Sequence, residues 1–328
     1  MPSIEDRDRA QASPLRNPLP NAQRWLYALW KFSRPHTIIG TSLSVLGLFL
    51  IAWGSTSHSA YSIGDGLLAV GALVACLCGN LYIVGLNQLE DVAIDRINKP
   101  HLPLASGEFS LMQGRWLVGT AGVLALVLAW LQGGFLLATV GISLVIGTAY
   151  SLPPIRLKRW AFWASVCILT VRGAVVNLGL FAHFQQAFCS ASADCAVAIP
   201  ASIWALTLFV VGFTFAIAIF KDIPDMEGDR HYNISTFTLR LGASAVLQLA
   251  QWVLTICYLG LIVAGFVWLP GVNPWVLALS HGVALLALWW RSYQLDLTDR
   301  SAIAACYQFI WKLFFLEYLM FPLACLSA

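Results

Sequence analysis

In the stretch NQLEDVAID, Asn87, Asp91 and Asp95 stand four residues apart, and in KDIPDMEGD, Asp222, Asp225 and Asp229 stand three and then four apart. On a helix an i, i+4 step advances only about 40° around the axis, so each set of three oxygen-bearing side chains is predicted to share one face. Pro224 and Gly228 mark the second helix as distorted or ending there. Asp91 and Asp225 are 134 positions apart, as are Asp95 and Asp229, a spacing that suggests two parallel half-repeats with acidic ends facing each other. Clustered side-chain oxygens suit a hard divalent cation. Mg²⁺ is commonly held by one or two carboxylates together with substrate phosphates, so two such ions between the clusters would bind a diphosphate. Lys99, Arg156, Lys158 and Lys221 follow the apolar runs in the same way as the carboxylates do, and would neutralise the remaining phosphate charge.

The elements that must position these groups are greasy. Of 328 residues 59% are hydrophobic and 11% charged, with a mean hydropathy of +0.75, against roughly a quarter charged in soluble domains. The chain is therefore an all-α, polytopic integral membrane protein. Apolar runs at about 38–54, 66–86, 116–131, 134–150, 161–183, 201–220, 244–268, 275–290 and 302–325 predict nine transmembrane helices around a central cavity. They lack the two-residue alternation of a membrane barrel. Of the 19 Lys and Arg residues, all but Arg172 and Lys312 precede the first span or fall on alternate connections. The positive-inside rule then makes the N-terminus and the charged loops cytoplasmic. Each acidic cluster follows an even-numbered span on that same side, where carboxylates at membrane depth are costly without a role. A diphosphate held there, with hydrocarbon behind it, reads as an isoprenoid diphosphate whose tail lies among the helices. Membrane lipid is the surroundings; nothing in the chain points to nucleic acid or an obligate protein partner.

NQLEDVAID and KDIPDMEGD resemble the two Asp-rich motifs of the UbiA superfamily of intramembrane aromatic prenyltransferases. DRINKPHLPLASGE, FSRPHTIIGTSLSV, GTAYSLPPIRLKR, LTVRGAVVNLG and YQFIWKLFFLEYL are similar to the homogentisate prenyltransferase branch of cyanobacteria, so that the resemblance runs from about residue 31 to residue 322. The chlorophyll synthase branch ranks second, since it usually carries other residues where this chain has Lys99, Lys221 and Asp222. The resemblance implies transfer of a phytyl group from its diphosphate to homogentisate with loss of CO₂, giving 2-methyl-6-phytylbenzoquinol in tocopherol biosynthesis, in a thylakoid or plasma membrane. It further implies that Asp91, Asp95, Asp225 and Asp229 hold Mg²⁺, that Asn87 and Asp222 support that shell, and that Arg156, Lys158, Lys221 and Tyr150 contact the diphosphate, with Lys99 close by.

Residues 1–24 are polar and Pro-rich, with Glu5, Asp6 and Asp8 beside arginines, and are expected to be a disordered cytoplasmic tail on a single domain, 25–328. Trp25, Leu26, Leu29, Trp30 and Phe32 could give an interfacial helix an apolar face. Arg172 lies mid-span, where a buried charge is expected to face a cavity and could meet the acceptor's carboxylate. Lys312 and Glu317 are five apart, poor geometry for a pair within one helix, and are expected to pair with other helices. Cys189 and Cys195 flank a connection on the non-cytoplasmic side and could bridge; the other six cysteines sit in apolar runs and show no zinc pattern. A transporter is the alternative class, against which stands the position of the clusters at one face instead of the midplane.

Overall fold

The computed structural model describes residues 21–56, 62–189, 197–223, 226, 236–293 and 295–328. Its elements are helices: α1 (Asn21–Phe32), α2 (Pro35–Gly54), α3 (Ile63–Glu90), α4 (Val92–Asn98), α5 (Pro103–Ser106), α6 (Leu111–Gln132), α7 (Gly134–Ser151), α8 (Ala161–Cys189), α9 (Ala201–Phe220), α10 (Phe237–Leu241), α11 (Ala243–Val267), α12 (Pro274–Tyr293) and α13 (Arg300–Leu326). No strand occurs among the described residues. In hydrocarbon a helix satisfies its own backbone groups, which is why continuous apolar runs of this length fold this way. The ends are set locally: Ser62 with Asp65 and Ser110 with Gln113 form reciprocal capping boxes at the starts of α3 and α6. Pro35 opens α2 in the first turn, where its missing N–H costs nothing.

Each of the nine predicted spans coincides with one long helix. Eight of those helices are long and apolar enough to cross a membrane, and the protein is an integral membrane protein. The ninth, α12, has 20 residues but is less apolar, because it carries His281, Arg291 and three tryptophans. The long helices pack in chain order, α2 on α3, α3 on α6, and so on to α13, which returns to pack on α2 and closes the ring. The main core runs through that ring, with Phe181, Phe184, Phe213, Phe314 and Tyr318 among its fully buried side chains. A smaller cluster seats α1: Ala28 and Phe32 pack with Leu86, Leu104, Phe109 and Val118. Trp25, Leu26, Tyr27 and Trp30 stay exposed, as an interfacial helix requires, but Phe32 of the expected lipid face is buried. Helix α1 begins at Asn21, and residues 1–20 lie outside the described residues.

Two expectations about intramembrane charge resolve differently. Glu317 of α13 meets His281 of α12, with Nε2 3.0 Å from Oε2 and both side chains fully buried, while Nδ1 of the same ring faces the Leu277 carbonyl at 2.9 Å. The contact is close in distance but off the angle of an ideal hydrogen bond. Lys312 instead lies exposed on the outside of the bundle and pairs with no carboxylate among the described residues. Cys189 is disulfide-bonded, and its expected partner Cys195 lies outside the described residues. The other six cysteines are free thiols.

Candidate active site

The ring of helices encloses a cavity of about 270 Å³. Its wall is polar at the end where Arg34, Asn87, Tyr150 and Lys221 meet, and largely apolar beyond, where Val140, Ile168, Val171, Leu180 and Ile217 face it. Small polar groups on α2 and α3 are tied together across the wall: Asn80 donates to Thr37 Oγ1 at 2.9 Å, and Thr37 donates to the Arg34 carbonyl at 2.8 Å.

At the polar end the expected single helix carrying Asn87, Asp91 and Asp95 is two. α3 stops at Glu90 and α4 restarts at Val92, with Asp91 between them at φ −113° and ψ 17°. The break frees the Asp91 carboxylate to reach the connection after α7, where Arg156 Nη2 donates to Oδ1 at 2.9 Å and Lys158 Nζ to Oδ2 at 2.6 Å. The carboxylate is 13% exposed, Lys158 10% and Arg156 21%. One carboxylate between two partly desolvated cations leaves a net positive cluster, which favours an anion. Burial pushes the Lys158 ammonium below its ordinary range, and the Asp91 carboxylate opposes that shift. Arg156 is presented from a left-handed backbone, φ 40°. Arg34, at φ 53°, is presented in the same way and points Nη2 at Asn87 Oδ1, 3.4 Å away. Side chains rarely adopt this region outside glycine, and such strain gathers at functional sites.

Of the other expected residues, Asp95 is buried within α4, Asp222 is buried just past α9 with Lys221 Nζ 3.7 Å from it, and Lys99 ends α4. Asn87, Tyr150, Arg172 and Lys221 line the cavity itself. Asp225 and Asp229 lie outside the described residues. Among the described residues no three His, Cys, Asp or Glu side chains gather into a metal site of their own. The carboxylates that are described, Asp91, Asp95 and Asp222, offer oxygen donors, the kind a hard cation takes, but do not converge into one site.

Arg172 projects from a π-helical turn, Leu169–Val175, in the middle of α8. Such a turn widens the helix by one residue and loosens its carbonyls. Asn177 takes up that slack, donating to the Gly173 carbonyl at 2.6 Å and the Arg172 carbonyl at 3.3 Å, while its own Oδ1 accepts from Tyr318 at 2.8 Å. The guanidinium lies over Trp311, 4.9 Å from the ring centre, and 5.6 Å from that of Phe314. Gly40 makes room for it, since a Cβ there would sit 3.3 Å from Nη1. Arg172 forms no ion pair among the described residues. Sequence reasoning missed the wall formed by Arg34, His36, Asn80, Tyr307 and Trp311. The block FSRPHT held part of it, in the form of a proline that starts a helix just after an arginine.

The fold and this site define a membrane-embedded helical protein with a charged, oxygen-rich mouth opening on an apolar cavity. The sequence profile of the UbiA prenyltransferase family matches residues 43–313, and the chain belongs to that family. It is 54% identical over 299 residues to the homogentisate phytyltransferase of Synechocystis sp., covering 91% of this chain and 96% of that one. It is also 39% identical over 300 residues to the homogentisate geranylgeranyltransferase of Triticum aestivum, covering 90% and 72%. The fold is that of a UbiA homolog from Archaeoglobus fulgidus solved with DMAPP and Mg²⁺, at a TM-score of 0.61, 16% identity and coverage of 92% and 99%. A UbiA homolog from Aeropyrum pernix K1 matches at a TM-score of 0.62 and 15% identity, covering 89% and 98%.

Proposed function

We propose that the protein transfers a phytyl group from phytyl diphosphate to homogentisate on the cytoplasmic side of a cyanobacterial thylakoid or plasma membrane, with loss of CO₂, giving 2-methyl-6-phytylbenzoquinol. The observation that carries the reading is the Asp91–Arg156–Lys158 cluster, whose Asp91 stands four residues along the chain from Asn87; Asn87 lines the polar end of a cavity that is otherwise largely apolar. The names of the similar proteins from Synechocystis sp. and Triticum aestivum support the choice of acceptor. Residues 25–328 act as one catalytic domain, and the N-terminus lies in the cytoplasm.

Asp91, Asp95, Asp225 and Asp229 would hold Mg²⁺, with Asn87 and Asp222 supporting them, and the bound ion supplies charge neutralisation to the departing diphosphate. Lys158, Arg156 and Lys221 bind the diphosphate oxygens, with Tyr150 at the cavity end and Lys99 adding positive charge. Their work is electrostatic: charge that develops on the leaving group is met by cations already in place. The allylic carbon then meets a ring made nucleophilic by its two hydroxyls, in a cavity whose apolar wall excludes water. Arg172, held against Trp311 with no ion pair of its own among the described residues, binds the acceptor's carboxylate.

Purified protein in vesicle-free detergent should form the prenyl quinol from phytyl diphosphate, homogentisate and Mg²⁺, identified by mass spectrometry. Chlorophyllide offered in competition should be left unconsumed. Consumption of chlorophyllide in preference would assign a different acceptor, and absence of any product in detergent would favour a carrier.

A further inference from the structure

We propose that His36 is a catalytic residue: it takes the proton lost by the acceptor ring and delivers it to the carbon left by CO₂. The proposal rests on the homogentisate reading above.

His36 is the second residue of α2, half-buried, and lines the same cavity as Arg172 and Lys221. Its ring packs against Trp311, with centroids 4.8 Å apart at 57°, and the Arg172 guanidinium lies 4.9 Å from that same indole. An acceptor whose carboxylate is bound by Arg172 therefore lies beside the imidazole. No hydrogen bond to a described residue occupies either nitrogen of the His36 ring. The charged groups facing it are Arg34, Arg172 and Lys99. Among the described residues lining the cavity there is no Asp or Glu and one imidazole, that of His36. A neutral imidazole among three cations accepts a proton, and its conjugate acid readily gives that proton back.

The reaction needs such a group twice. The allylic C–O bond breaks, diphosphate leaves with the electron pair, and a ring carbon beside a hydroxyl forms the new C–C bond. The ring is then cationic and that carbon keeps its hydrogen. His36 takes that hydrogen as a proton, and the ring becomes aromatic again with its acetate still attached. His36 gives the proton to the ring carbon para to the acetate as the hydroxyl beside that carbon releases its own proton and becomes a carbonyl. The C–CO₂ bond then breaks, CO₂ leaves, and the electron pair forms an exocyclic C=CH₂ bond and passes through the ring to that carbonyl oxygen. Aromaticity returns when that para carbon loses a proton to His36, the CH₂ carbon gains it from His36, and the oxyanion recovers the proton its hydroxyl had released. The proton lost equals the proton gained, so one base whose conjugate acid stays in place completes both transfers with no net exchange.

Homogentisate deuterated on the ring, turned over in ordinary water with phytyl diphosphate and Mg²⁺, should give native product with deuterium in its new methyl group. His36→Asn should lower quinol formation at least about 100-fold, and its residual product should carry methyl hydrogen from water. Thermal stabilisation of the variant by Mg²⁺ with phytyl diphosphate should remain. Turnover of His36→Asn within about threefold of native, or a native methyl group whose new hydrogen comes wholly from water, overturns the proposal. If the native protein releases no CO₂ from carboxyl-labelled homogentisate, the acceptor assignment fails, and the relay with it.

Discussion

Asp91 has two kinds of partner available to it, a metal ion and the cations Arg156 and Lys158, and the 2.6–2.9 Å contacts are with the cations. The account therefore makes Asp91 and Lys158 unequal. Asp91→Ala should abolish turnover with the protein still inserted and folded, because it removes both a proposed Mg²⁺ ligand and the anchor of two cations. Lys158→Met removes one electrostatic stabiliser of the leaving group and should lower kcat by about 10²–10³, with phytyl diphosphate binding weakened as well. Steady-state kinetics alongside a detergent melting curve check both. Full activity of Asp91→Ala, or full activity in excess chelator, contradicts the site. The residue types and spacing of these groups were legible in the sequence. Their geometry was not: the break at Asp91 follows from ion pairs with residues more than sixty positions away, which no local pattern records.

At the scale of elements, apolar run length placed the long helices, since hydrocarbon leaves a chain few other ways to satisfy its backbone. The π-helical turn that projects Arg172 left no sequence signal, because it depends on Asn177 of the same helix closing the widened carbonyls while Tyr318, from α13, holds Asn177 in place. Helix α12 is the test of the topology, being long enough yet less apolar than the rest. Single cysteines placed at Asn273 and at Tyr293 should be labelled by an impermeant maleimide from opposite sides of sealed vesicles; labelling of both from one side means that α12 does not cross. The polar residue that lowers its hydropathy is also the one that pairs with Glu317. Removing one partner of a buried pair leaves an uncompensated group, so Glu317→Ala should destabilise by about 3–5 kcal/mol. A double replacement, His281→Leu with Glu317→Leu, should recover most of that loss. Thermal unfolding in detergent reads both, and an unchanged melting temperature in Glu317→Ala would contradict a structural pair.

For the whole molecule, the closed ring of helices gives one end of the cavity charge and the rest of it hydrocarbon character, which is what a substrate with a diphosphate head and an isoprenoid tail requires. That polarity was readable from the segregation of Lys and Arg to alternate connections. The acceptor end was not, because Arg34, His36, Tyr307 and Trp311 come from opposite ends of the chain and meet only when α13 packs against α2. The most direct measurement of the account counts products: carboxyl-labelled homogentisate and phytyl diphosphate are turned over by the purified protein, and released CO₂ and diphosphate are followed together. Equal amounts of the two, both dependent on Mg²⁺, are expected. Diphosphate release without labelled CO₂, or prenylated product that keeps the label, would contradict it.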